Sequence, residues 1–164
     1  MENLDHITKL SQLYRLAIKD QRAILERDDV VPAATDWLSH RNGKCFACLA
    51  GAIMFNTLDM GKNIEEDYWR LKPEAVGHDR TEDLLLTLDA TRCRDIDEVV
   101  SAAKYHNLIS SDFEKLPEFL RYHLEFGLDD EHDRYGWNED DLSELHTLLE
   151  RMEGLANDLE KEGQ

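Results

Sequence analysis

The sequence predicts an all-α fold, a compact single-domain bundle of about six or seven helices, and three observations lead to this class. Apolar residues recur at steps of three and four in several segments, which is the period of one helical face. No segment shows a sustained alternation of apolar and polar residues, the pattern of a half-buried strand. The length of 164 residues suits one domain, which we expect to span residues 1–164.

The first predicted helix lies near the N-terminus. We expect it to end near Arg27, before Asp28, Asp29 and Pro32. Its apolar face comprises Leu4, Ile7, Leu10, Tyr14, Ala17, Ile18, Ile24 and Leu25.

The predicted centre of the bundle is a buried helix around residues 43–58. It opens at Asn42 or Gly43, and its body Cys45–Phe55 is apolar on all sides, as expected of a helix that is buried all round. A buried strand is the competing interpretation, but the length and alanine content favour a helix. We predict that Gly51→Leu is strongly destabilising, by ~1–3 kcal/mol or more, because the added side chain overpacks the core.

Further helices are predicted from start signals. A short helix covers Ile64–Leu71 and is ended by Pro73. The patterns Asp79-x-x-Glu82 and Asp95-x-x-Glu98 each resemble an Asp N-cap with Glu at the third helical position. Pro117 fits the first position of another helix.

The last predicted helix is capped by Asn138. Glu139, Asp140 and Asp141 follow, where negative charge is favourable against the positive end of the helix dipole. Its apolar positions form a heptad seam that we expect to face the core: Leu142, Leu145, Leu149, Met152, Ala156 and Leu159.

The charge is strongly negative and unevenly distributed. Nineteen Lys and Arg stand against 36 Asp and Glu, a net charge of −17, and residues 128–164 hold 13 acidic and 3 basic residues. This balance disfavours direct binding to nucleic acid or to a membrane surface and favours a basic protein partner. We expect the segment Leu128–Trp137 to be an acidic loop. A solvated surface explains the same composition without any partner.

The densest carboxylates near the C-terminus are the candidate partner-binding residues. Displayed outward, they imitate the phosphates of DNA and would occupy a basic nucleic-acid channel in an enzyme. The set comprises Asp130, Glu131, Glu139, Asp140, Asp141 and Glu144.

Cysteine usage points to a reduced compartment and to no metal. Cys45-x-x-Cys48 could chelate zinc with Cys93 and His40, but a second ligand pair of zinc-site spacing is missing. Small buried hydrophobic side chains are the favoured interpretation of the cysteines. With no apolar leader at the N-terminus, we expect a cytoplasmic protein.

Two acidic pairs form the most enzyme-like pattern. Asp79, Glu82, Asp95 and Glu98 could hold Mg²⁺ for a nucleotide phosphohydrolase of all-α type, although helix capping explains each pair by itself.

Two weaker metal patterns are also present. His78-Asp79 with His40 and Asp112 could form an HD-type phosphohydrolase site. A calcium loop starting at Asp129 would need Gly where Arg134 stands. We therefore expect no catalytic residue, no cofactor and no tightly bound metal.

The segment Cys45–Met54 reads C-x-x-C-x-A-G-A-x-M and follows Trp37 and Lys44. It resembles a segment in small proteins of tailed phages and prophages, and the Leu-rich segment Asp83–Asp97 fits the same resemblance. The resemblance implies a phage accessory protein acting in the host cytoplasm and implies no catalytic residues.

The favoured hypothesis is thus a binding module, a phage-encoded inhibitor of the DNA-mimic type that binds a host nucleic-acid enzyme. The alternatives are the Mg²⁺-dependent phosphohydrolase and a structural homo-oligomer assembled through the C-terminal seam.

Overall fold

The computed structural model describes residues 4–34, 37–61, 69–77, 79–93, 108 and 140–164. Within these ranges the chain forms four α-helices and one four-stranded mixed sheet. In chain order the elements are α1 (Leu10–Leu25), β1 (Val30–Pro32), β2 (Leu38–Arg41), β3 (Lys44–Ala47), α2 (Leu49–Asn56), β4 (Trp69–Leu71), a 3-10 helix (Pro73–Val76), α3 (Asp79–Cys93) and α4 (Ser143–Lys161).

The predicted all-α bundle of six or seven helices is therefore wrong, and the fold is a mixed α/β arrangement. The four strands are only three or four residues long. Alternation becomes recognisable over runs of about four to eight residues, so strands this short leave little periodic signal in the sequence.

The sheet has the strand order β1-β3-β2-β4. β1 runs parallel to β3, whereas β2 is antiparallel to both β3 and β4. Residues directly opposite each other on paired strands share one face of the sheet. The inner face is the more buried one and carries Val30, Pro32, Leu38, Cys45 and Ala47.

A two-residue turn joins β2 to β3. Its residues Asn42 and Gly43 have φ angles of +52° and +76°. Asn-Gly is the dipeptide favoured in tight hairpin turns, because both central residues must adopt positive φ. The prediction that these residues open a central helix is wrong: the turn starts a hairpin, and Lys44–Ala47 is its second strand.

The buried central helix exists but is shorter than predicted. α2 begins at Leu49 after Cys48, its N-cap, and ends at Asn56. All its residues except Asn56 are buried. The apolar residues on all sides of this segment therefore predicted its burial correctly. They did not indicate that the segment changes from strand to helix at Cys48.

The region after α2 also departs from prediction. Trp69–Leu71 is strand β4, so the predicted helix Ile64–Leu71 is wrong over these three residues. Pro73 starts a 3-10 helix. The helix expected from the Asp79-x-x-Glu82 pattern is confirmed as α3, with Asp79 as its first residue rather than its N-cap.

Helices α1 and α4 agree with their apolar patterns. The predicted face of α1 is buried at Leu10, Tyr14, Ala17, Ile18 and Ile24. Leu4 and Ile7 are buried too, but they precede the helix, which begins at Leu10.

Helix α4 begins at Ser143, with Leu142 rather than Asn138 at its N-cap. The predicted seam faces the core as expected, so it is not a free surface for oligomerisation. Its buried residues are Leu145, Leu149, Met152, Ala156 and Leu159, joined by Leu148 and Leu155.

Several predictions concern residues outside the described ranges. They are the helix starts at Asp95 and Pro117 and the acidic loop Leu128–Trp137.

Candidate functional site

Three of the six predicted partner-binding carboxylates belong to the described chain. Asp140, Asp141 and Glu144 are all exposed and lie at or just before the start of α4. Asp130, Glu131 and Glu139 lie outside the described residues. The Asp141 carboxylate accepts a hydrogen bond from the backbone N–H of Ser143 at 3.0 Å, and this bond lowers the pKa of Asp141. Asp141 thereby satisfies one of the backbone donors at the positive end of the helix.

Other carboxylates of α4 are held by arginines of α1. Arg15 donates to both Glu160 carboxylate oxygens, at 2.9 and 3.0 Å, and also to Asn157. Arg22 donates to Glu153 at 2.9 Å. The Arg15 hydrogen bonds lower the pKa of Glu160. These carboxylates already have arginine partners, so they are less suited to binding a partner protein than the carboxylates at the other end of α4.

The two arginine contacts also show the relative direction of the helices. Moving from Arg15 to Arg22 along α1 corresponds to moving back from Glu160 to Glu153 along α4, so the helices are antiparallel. By this register Leu25, the last residue of α1, lies level with Glu150. The first turns of α4 therefore extend past the last residue of α1, after which the segment Glu26–Asp29 begins.

That segment adds further carboxylates at the same end of the helix pair. Glu26, Asp28 and Asp29 are exposed. Arg27 donates to the Asp29 carboxylate at 2.7 and 2.6 Å, and its guanidinium lies 5.0 Å from the centre of the Phe55 ring. Sequence analysis treated Asp28 and Asp29 only as a helix stop. That they follow the end of α1 past which α4 extends is a consequence of the antiparallel packing of these two helices.

The cysteine pair does not have the helical geometry considered for a zinc site. Cys45 lies in strand β3, whereas Cys48 is the N-cap of α2. The Cys48 thiol donates to the carbonyl oxygen of Trp37 at 3.7 Å. Burial, with a smaller contribution from Asp29, raises the pKa of Cys45 to about 12. A zinc site needs thiolates, and this environment disfavours the thiolate at neutral pH.

The other metal hypotheses are only partly within the described chain. Asp79 and Glu82 both lie in the first turn of α3. Other candidate ligands lie outside the described residues, and these are His78, Asp95, Glu98, Asp112 and the segment from Asp129. Within the described ranges, no group of three or more His, Cys, Asp or Glu side chains is arranged to hold a metal ion.

A basic surface that sequence analysis missed lies on the outer face of the sheet. Among strand residues this face carries Val31, Ser39, Arg41, Lys44, Phe46 and Arg70. These six positions include three cations and no carboxylate, although acidic residues outnumber basic ones almost two to one in the chain. The Asn-Gly turn was the available signal, because recognising the hairpin places Arg41 and Lys44 on one face.

The comparisons with known proteins leave the function to be inferred from this geometry. No family model, no curated protein and no solved structure matches the chain. Among the described helices, none is both long enough and apolar enough to cross a membrane.

Proposed function

We propose that this protein is a non-enzymatic, acidic protein-binding module that occupies a basic surface of its partner. The partner surface is of the kind that a nucleic-acid enzyme uses for phosphates, so the carboxylates act as a DNA mimic. In the light of the resemblance described above, a phage-encoded inhibitor acting on a host enzyme is the specific form of the proposal. The observation that carries it is the concentration of exposed carboxylates at one end of the α1–α4 pair.

The packing of α4 against the rest of the protein supports this proposal. The apolar side of α4 is buried along its length, which holds the helix on α1, and the Arg15 and Arg22 ion pairs match its antiparallel direction. The exposed carboxylates Asp140, Asp141 and Glu144 are therefore presented from a fixed helix end. Preorganised charges lose little conformational freedom on binding, which favours affinity for a basic partner.

Long-range electrostatic attraction also supports the proposal. The net charge of −17 attracts a basic surface over distances comparable with the Debye length, which is ~8 Å at physiological salt. Such steering acts mainly on the association rate. Binding should therefore weaken as salt rises, and double-stranded DNA should compete for the same partner surface.

The test is affinity capture from a bacterial lysate with the immobilised 164-residue chain, followed by elution with salt and, separately, with double-stranded DNA. The informative variant is Asp140→Lys/Glu144→Lys. Its matched control is Glu74→Lys/Glu162→Lys, which changes the net charge equally at two other exposed positions. Circular dichroism checks that each variant is folded.

We expect nucleic-acid enzymes to be retained by the wild type and the control, eluted by DNA, and lost with the Asp140/Glu144 variant. Retention that resists salt and DNA, or that is equal for both variants, would contradict the proposal.

A further inference from the structure

We draw no further inference here: the strongest candidate, the patch that the exposed cations Lys44 and Arg70 form on the outer face of the sheet, carries none because nothing in the structure shows what covers it.

Discussion

Among the described glycines, Gly51 is the one at which an added side chain would meet the closest neighbouring atom. A Cβ atom placed there would lie 1.4 Å from the carbonyl oxygen of Trp37, which is backbone and cannot move aside without disturbing the start of β2. The same carbonyl accepts the Cys48 thiol. Even Gly51→Ala should therefore destabilise the protein by more than about 3 kcal/mol, measured by urea denaturation.

Gly154 is the matched control for that substitution. It is an exposed glycine within α4, and an added Cβ would meet nothing within 4 Å. Gly154→Ala should raise the free energy of unfolding by about 1 kcal/mol through helix propensity. Equal effects of the two substitutions would show that the Trp37 carbonyl oxygen does not lie close to Gly51.

Gln21 is a second residue with an unusual environment. It is fully buried, and within the described chain neither its amide nitrogen nor its amide oxygen has a hydrogen-bond partner. Gln21→Met keeps the length of the side chain and removes both polar atoms, so it should stabilise the protein by about 1–3 kcal/mol. Thermal and urea unfolding would measure the change.

Gln12 provides the opposite case on the same helix. Its side-chain oxygen accepts from the backbone N–H groups of Thr8 and Lys9, at 2.8 and 3.1 Å. Gln12→Met should cost about 1 kcal/mol, because these donors at the start of α1 lose their acceptor.

A destabilising Gln21→Met would mean that the Gln21 amide is satisfied in solution.

The buried Cys45 thiol should make the free energy of unfolding depend on pH. Burial raises its pKa from 9.0 to about 12, so the folded state keeps the proton that the unfolded state loses first. This contribution to stability is complete below pH 9 and is lost as pH rises towards 12. The free energy of unfolding should therefore fall less steeply above pH 9 in Cys45→Ala than in the wild type. Parallel curves for the two proteins would refute the prediction.

At the scale of elements, the α1–α4 pair combines an apolar seam with exposed ion pairs. Met152 is fully buried, whereas Arg22 and Glu153 have side chains that are 50% and 42% exposed. Exposed ion pairs contribute about 0–1 kcal/mol, but truncating a buried Met costs about 2–5 kcal/mol. Met152→Ala should therefore destabilise far more than Glu153→Gln in urea denaturation. The reverse order would mean that charge, not burial, holds α4 in place.

At the scale of the whole molecule, like charges oppose folding. With 36 acidic and 19 basic residues, self-repulsion should outweigh the exposed ion pairs that the described residues form, so moderate salt should raise the melting temperature. Calorimetry across a salt series measures this. The rise should be smaller in Asp140→Lys/Glu144→Lys, whose net charge is less negative. A melting temperature that falls as salt is added would contradict this balance.

The sequence by itself determined the features that depend on local pattern. The faces of α1 and α4 follow from steps of three and four, and the seam through Leu145, Leu149 and Met152 is buried as predicted. The helix that starts at Asp79 was predicted from the Asp79-x-x-Glu82 pattern, although Asp79 is its first residue rather than its N-cap. The buried character of residues around Gly51 was also readable, since an all-round apolar segment can avoid water only in the core.

The tertiary structure decided the sheet and the two surfaces. β1 and β4 are three residues long and are stable only because β3 and β2 satisfy their backbone groups, which no local pattern records. The grouping of Arg41, Lys44 and Arg70 depends on strand pairing across the chain. That the start of α4 projects beyond the end of α1, where Glu26 and Asp28 follow, depends on the antiparallel packing of the two helices. Charge can be counted in a sequence, but its position in space follows from which elements pack together.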